Sequence, residues 1–134
     1  VQRWGPVTLM VSATAAAVLR WALMSFSPSL PALIPLQMLH TLTYGASHLG
    51  AMHFISRAVP ESAQGTAQAM YATVAAGLLM GAATLTAGRL YPSIGGHAYL
   101  AMALLAAIGF AAALYVRAKW QGGLLWTSPE AAKV

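Results

Sequence analysis

Cysteine is absent from this chain, which excludes a disulfide framework and any thiolate metal site and leaves the redox compartment undecided. Acidic side chains are almost absent as well, Glu61 and Glu130 being the two present. Charged residues make up 7% of the sequence and hydrophobic ones 59%, against roughly 25% and 45–50% in soluble domains. A soluble chain this poor in charge would aggregate. The net charge of +5 could suggest nucleic acid as a partner, but the seven basic residues are scattered and form no patch, so nucleic acid is excluded as a partner class. No nucleophile–base pair, metal triad or phosphate loop stands out, so the chain reads as no enzyme, with no cofactor.

What fills the 134 residues instead is four apolar stretches, about 7–26, 32–55, 67–91 and 98–116. Each is close to the ~20 residues a helix needs to cross ~30 Å of hydrocarbon. The expected fold is an all-α membrane protein of four transmembrane helices, in contact with the lipid bilayer, followed by a cytoplasmic tail over 119–134 that is polar, glycine-containing and mobile. Four crossings put both termini on one side with the 56–62 connection. That side holds Arg3, Arg57, Arg117, Lys119 and Lys133, whereas the other holds Arg89, so the positive-inside bias places both termini in the cytoplasm. The first apolar stretch lacks a small-residue cleavage site, so no signal peptide is expected. The chain starts at Val1 rather than Met, and a truncated chain is one expectation.

The punctuation is clear. Pro28 and Pro31 mark an outer turn over 27–31, Pro60 restarts a helix with Glu61 at its positive end, and residues 88–96 make a second outer loop. Trp4, Tyr91, Tyr99, Trp120 and Trp126 suit the lipid–water boundary. The last stretch is nearly all apolar and is expected to be peripheral.

The second stretch carries most of the information. Gln37, His40, Tyr44, Ser47 and His48 follow the three-and-four spacing that puts side chains on one helix face. Polar groups at membrane depth either line a cavity that marks a solute or ion route, or tie helices together by hydrogen bonds worth only ~0.6–2 kcal/mol each. Five such positions exceed what helix tying needs, which favours the cavity. His40 is the sharpest member, because imidazole exchanges a proton near neutrality. His53 lies off the stripe and reads as structural. His48 and His53 do not share a helical face and have no carboxylate beside them, so no metal site is expected.

Arg20 sits inside the first stretch, where an arginine costs at least ~2.5–3.5 kcal/mol unless paired or hydrated. It can snorkel toward the outer boundary, about 10 Å away at Ser27, or meet a carboxylate from absent helices or from a solute. On the third stretch Gln64, Gln68 and Tyr71 share a face and form a weaker second wall, while Gly77 and Gly81 have the G-x-x-x-G spacing that lets helices approach closely.

The runs AVLRWALMSF (17–26), LQMLHTLTYGASHLGAMHFI (36–55), TAQAMYATVAAGLLMG (66–81) and AGRLYPSIGGHAYLAMALL (87–105) resemble the last four helices of a major facilitator superfamily transporter. The nearest branch is the lactose-permease-like group that includes bacterial phenylpropionate transporters and nucleoside–proton symporters. The resemblance covers about residues 3–118, and its L-H-x-x-T-[FY]-G and T-A-Q-A-x-Y segments are moderately specific. It implies that the chain is the C-terminal third of a 12-helix bundle in a bacterial inner membrane, and that its partners are the N-terminal helices of the same transporter. Arg20 and His40 match an arginine and a histidine that act in proton and sugar coupling in lactose permease. That permease has a glutamate where this chain has Thr43 and a lysine where it has Gln37, so sugar specificity does not carry over. The implied function is alternating-access, proton-coupled transport of a small organic solute, whether an aromatic or other organic acid, a nucleoside or a sugar. Gln68 and Tyr71 would complete the pathway with Arg20, Gln37, His40, Tyr44, Ser47 and His48. A different class of reading is a small four-helix membrane scaffold that moves nothing.

Overall fold

The structure, a computed structural model, describes residues 5–26 and 28–126. Arg3, Trp4, Ser27, Glu130 and Lys133 lie outside the described residues, as does most of the expected tail.

All regular structure among the described residues is helical. Helix α1 (Pro6–Met24) begins with proline in its first turn, where the missing N–H is no loss. Its hydroxyls turn back on their own backbone: Thr14 Oγ1 donates to Met10 O at 2.8 Å and Ser12 Oγ to Leu9 O at 3.0 Å. Such back-bonding makes a hydroxyl tolerable where no water competes.

Helix α2 (Leu30–Ala58) follows after a short turn and takes in Pro31 at its start and Pro35 inside. The outer turn is therefore shorter than the prolines suggest. Proline is harmless in the first turn, and Pro35 costs only the bond to Pro31 O. At 29 residues, α2 is about 43 Å long.

The chain restarts at α3 (Glu61–Ala72), passes through a π-helical segment (Thr73–Leu79) and continues as α4 (Met80–Ile94). The loop expected over 88–96 is mostly helix. Pro92 removes a single donor near the helix end, and the helix stops only where Gly95 adopts φ 54°, a conformation that side-chain-bearing residues rarely take. One 3₁₀ turn (Gly95–Ala98) leads into α5 (Tyr99–Lys119).

Two helical stretches are long and apolar enough to cross a membrane, Pro6–Met24 and the 59 residues of Glu61–Lys119. The second, at about 88 Å if straight, is far longer than one ~30 Å crossing. The break at Gly95 divides it. Helix α2, with three histidines and Gln37, is not apolar enough to join them.

Helix α1 lies between α2 and α5 and packs along both. Val7, Val11 and Ala113 are buried at one end, covered by Met10, Phe54, Phe110, Val116 and Trp120. The start of α1 thus meets the ends of α2 and α5, so α1 runs antiparallel to both. The expectation that the last helix is peripheral is overturned: α5 is a full neighbour of α1, because its many alanines let it approach closely.

Gly50 is the tight point. A Cβ there would fall 2.6 Å from Met10 Cγ and 3.2 Å from Pro6 O. By contrast, nothing lies within 4 Å of Cβ positions at Gly77 and Gly81, so the G-x-x-x-G face meets no helix among the described residues.

The third helical segment is held mainly at its two ends. At one, Gln64 Nε2 donates to Ser56 O and Val59 O, both at 3.2 Å, and closes the connection after α2. At that end residues 120–126 also fold back. Leu125 N donates to Ala58 O at 2.8 Å, Trp120 Nε1 to Gly123 O at 2.7 Å, and Trp120 meets Phe54 edge-on at 4.9 Å. This part of the expected mobile tail is anchored, because its tryptophan and leucine supply contacts that its glycines do not forbid.

Large apolar side chains are conspicuously outward: Leu42, Leu104 and Ile108 are 69%, 65% and 59% exposed. In water this would be an aggregating surface; against acyl chains it costs nothing. Apolar helices with this outward surface describe an integral membrane protein.

Candidate functional site

Helix α2 projects its polar stripe between α1 on one side and the third helical segment on the other. The spacing of His40, Tyr44, Ser47 and His48 gives a common sector of the helix, and the two neighbours divide that sector into two voids.

The first void, about 170 Å³, is enclosed by Ala17, Arg20 and Trp21 of α1 with His40, Thr43, Tyr44 and Ser47 of α2. Arg20 is 3% exposed. Its guanidinium carbon lies 3.8 Å from the centroid of the Trp21 ring, a cation–π arrangement that gains strength when desolvated. Its Nε has no hydrogen-bond partner. Snorkelling toward the boundary is therefore not what this side chain does: it is packed into the bundle, held beside the void by the Trp21 face. A buried donor without an acceptor carries a desolvation cost of roughly 1–3 kcal/mol, more for a charged group. A carboxylate entering the void would remove that cost.

Trp21 links three helices. Its ring stacks on Tyr99 of α5 at 5.7 Å and 21°, and approaches His40 of α2 at 6.5 Å. Tyr99 in turn meets Tyr91 edge-on at 6.3 Å. His40 stands 6.3 Å from Tyr44, and Thr43, buried beneath, donates from Oγ1 to His40 O at 3.0 Å.

The second void, about 400 Å³, opens between α2 and the third helical segment and is lined by Tyr44, His48 and Met52 facing Gln68, Tyr71, Ala72, Ala75, Ala76 and Met80. His48 and Tyr71 face each other across it at 5.9 Å. Tyr44 borders both voids.

Of the residues singled out from sequence, Arg20, His40, Tyr44 and Ser47 come together in the first void, and Tyr44, His48, Gln68 and Tyr71 in the second. Gln37 does not join them. It is exposed in a groove lined entirely by α2 residues, among them Leu33, Ile34 and Met38. Gln64 serves the connection after α2 rather than a void. Sequence reasoning missed Trp21, Thr43 and Ala17, and it assigned Tyr99 only to the lipid boundary. An aromatic residue next to an intramembrane arginine was the available signal for Trp21.

A larger groove of about 610 Å³ runs over Leu9, Met38, Leu42, Gly45 and Leu49. It has no ionisable side chain and opens where the exposed aliphatic surface lies, so it reads as a lipid-facing furrow rather than a solute site. No group of three or more metal-ligating side chains occurs among the described residues.

Comparison with known proteins gives two findings. A family model described as the MFS_1 like family matches residues 1–101. A protein described as a probable 3-phenylpropionic acid transporter, from Escherichia coli (strain K12), is 37% identical over 102 residues, which are 73% of this chain and 25% of that protein. The chain thus spans about a quarter of the length of this curated relative. No solved structure matches.

Proposed function

Because the chain belongs to the MFS_1 like family, we propose that it forms the C-terminal four-span portion of a major facilitator secondary transporter, whose remaining helices complete the solute site. The coverage of a quarter of a curated relative supports this reading. So does the open side of both voids, which further helices would close.

The cargo is a small organic acid, moved by alternating access around a site near the bilayer midplane. One observation carries this: Arg20, 3% exposed, holds an unpartnered Nε–H beside an enclosed polar void, and neither acidic residue of the chain lies within the apolar stretches. The natural counter-ion is then a carboxylate delivered by the cargo. The relative's description, which names an acid, agrees with that choice. His40, one ring away from Trp21 and Tyr44, is suited to pass a proton as the acid binds and leaves, giving proton-coupled symport. Basic residues Arg57, Arg117 and Lys119 against Arg89 orient the end bearing Ala58 and Trp120 toward the cytoplasm of an inner membrane.

The test is accumulation of organic acids in energised membrane vesicles by the full-length transporter that contains this chain. Arg20→Ala is expected to reduce uptake by more than roughly thirtyfold, as when one partner of a buried charge pair is removed. His40→Ala is expected to abolish accumulation while leaving energy-independent exchange. Normal accumulation of every transported compound by both variants would refute the assignment.

A further inference from the structure

We propose that the cleft between α2 and the third helical segment is a second subsite of the same solute site, one that holds a planar aromatic ring while the acid's carboxylate sits at Arg20. The proposal rests on the transporter reading above and extends it to the shape of the cargo.

Size is the first argument. The void at Arg20, about 170 Å³, falls below the roughly 300–1,000 Å³ typical of small-molecule sites, so it accommodates the charged end of a solute and little more. The remainder must continue elsewhere. Tyr44 borders both voids, and on its other side lies a cleft of about 400 Å³.

The chemistry of that cleft suits a ring. Its lining contains no lysine, arginine or carboxylate, so nothing there compensates a charged group. Its walls are aromatic, with Tyr44 and His48 on α2 facing Tyr71, and aromatic faces bind a further ring by offset or edge-on contact. Ala72 and Ala76 leave the third helix without bulk where a flat group would lie. The cleft also borders the π-helical segment Thr73–Leu79, and π-helical irregularities occur frequently at functional sites.

The geometry adds a length requirement. On α2 the Arg20 void centres near Thr43 and Tyr44 and the cleft near His48, an offset of about one helical turn, or ~5–6 Å. A ring bonded directly to its carboxylate is too short to occupy both, whereas a short saturated spacer bridges them.

The test uses the full-length transporter in vesicles, with 3-phenylpropionate, its ring-saturated analogue, benzoate and butyrate as probes. Binding is read in parallel as protection of the detergent-solubilised protein against thermal unfolding, so that a variant defective in transport still reports. Expected are preference for 3-phenylpropionate over both the saturated analogue and benzoate, and a fall of roughly five- to tenfold in that preference relative to butyrate, in the range of lost aromatic contacts, for Tyr71→Leu and for Ala72→Leu. Wild-type protein that binds these acids without regard to ring or spacer, or variants whose preference stays within about twofold of wild type, would overturn the subsite while leaving the transporter reading intact. Failure of the wild type to bind any carboxylate would overturn both.

Discussion

At the scale of single residues, Gly50 and Arg20 show how differently two buried positions constrain the protein. Gly50 is a packing necessity, because a methyl group there has nowhere to go but into Met10 Cγ and the Pro6 carbonyl. Gly50→Val is expected to destabilise the α1–α2 contact by about 1–3 kcal/mol, read as a lower thermal midpoint and lower membrane yield, with Gly50→Ala intermediate. Arg20 is the opposite case, a side chain whose burial destabilises unless something arrives. Arg20→Met is expected to raise thermal stability without ligand while abolishing acid binding, since a buried ion replaced by an apolar side chain of similar volume is often stabilising by about 1–4 kcal/mol; thermal melts with and without 3-phenylpropionate check both halves. The charge problem was legible in the sequence, because two acidic residues outside the apolar stretches leave no counter-ion. Its solution was not legible. Whether Arg20 reaches outward or lies against Trp21 depends on where α2 and α5 stand, and one helix's spacing does not contain that.

At the scale of elements, α2 shows the power and the limit of periodicity. Three-and-four spacing gives the angle at which a side chain leaves the helix, and on angle alone Gln37 belongs with His40 and Tyr44. It ends in a groove made only of α2 residues, because spacing does not say whether a neighbour stands opposite at that height. The π-helical segment is the converse: no proline or unusual composition marks Thr73–Leu79, yet it sets the phase between Tyr71 before it and Met80 after it. Deleting Ala75 is expected to restore ordinary helical winding, preserve folding and reduce acid uptake by roughly tenfold or more, as for small misplacements of positioning groups; uptake and thermal melts on the same preparation separate the two effects. At the other end of the fold, Trp120→Ala should loosen the return of 120–126 by losing the Phe54 pair, worth about 0.5–1.5 kcal/mol beyond area burial. Limited proteolysis between Lys119 and Leu125 would report it.

At the scale of the whole molecule, the outward aliphatic surface and the inward polar seam divide the chain's work between lipid and solute. Leu104→Arg or Ile108→Arg, on the exposed face of α5, is expected to cost insertion about 2.5–3.5 kcal/mol, measured as loss of membrane-integrated protein, whereas Ser47→Ala beside the small void should leave integration intact. Three rods, α1, α2 and α5, share the close contacts, and the remaining one is fastened near Pro60 and at Gly95. A beam pinned at its extremities and free along its span bows under small forces. The separation of Tyr71 from His48 is therefore the softest dimension in the protein, and cargo of varied thickness can be gripped without disturbing the rigid trio behind it.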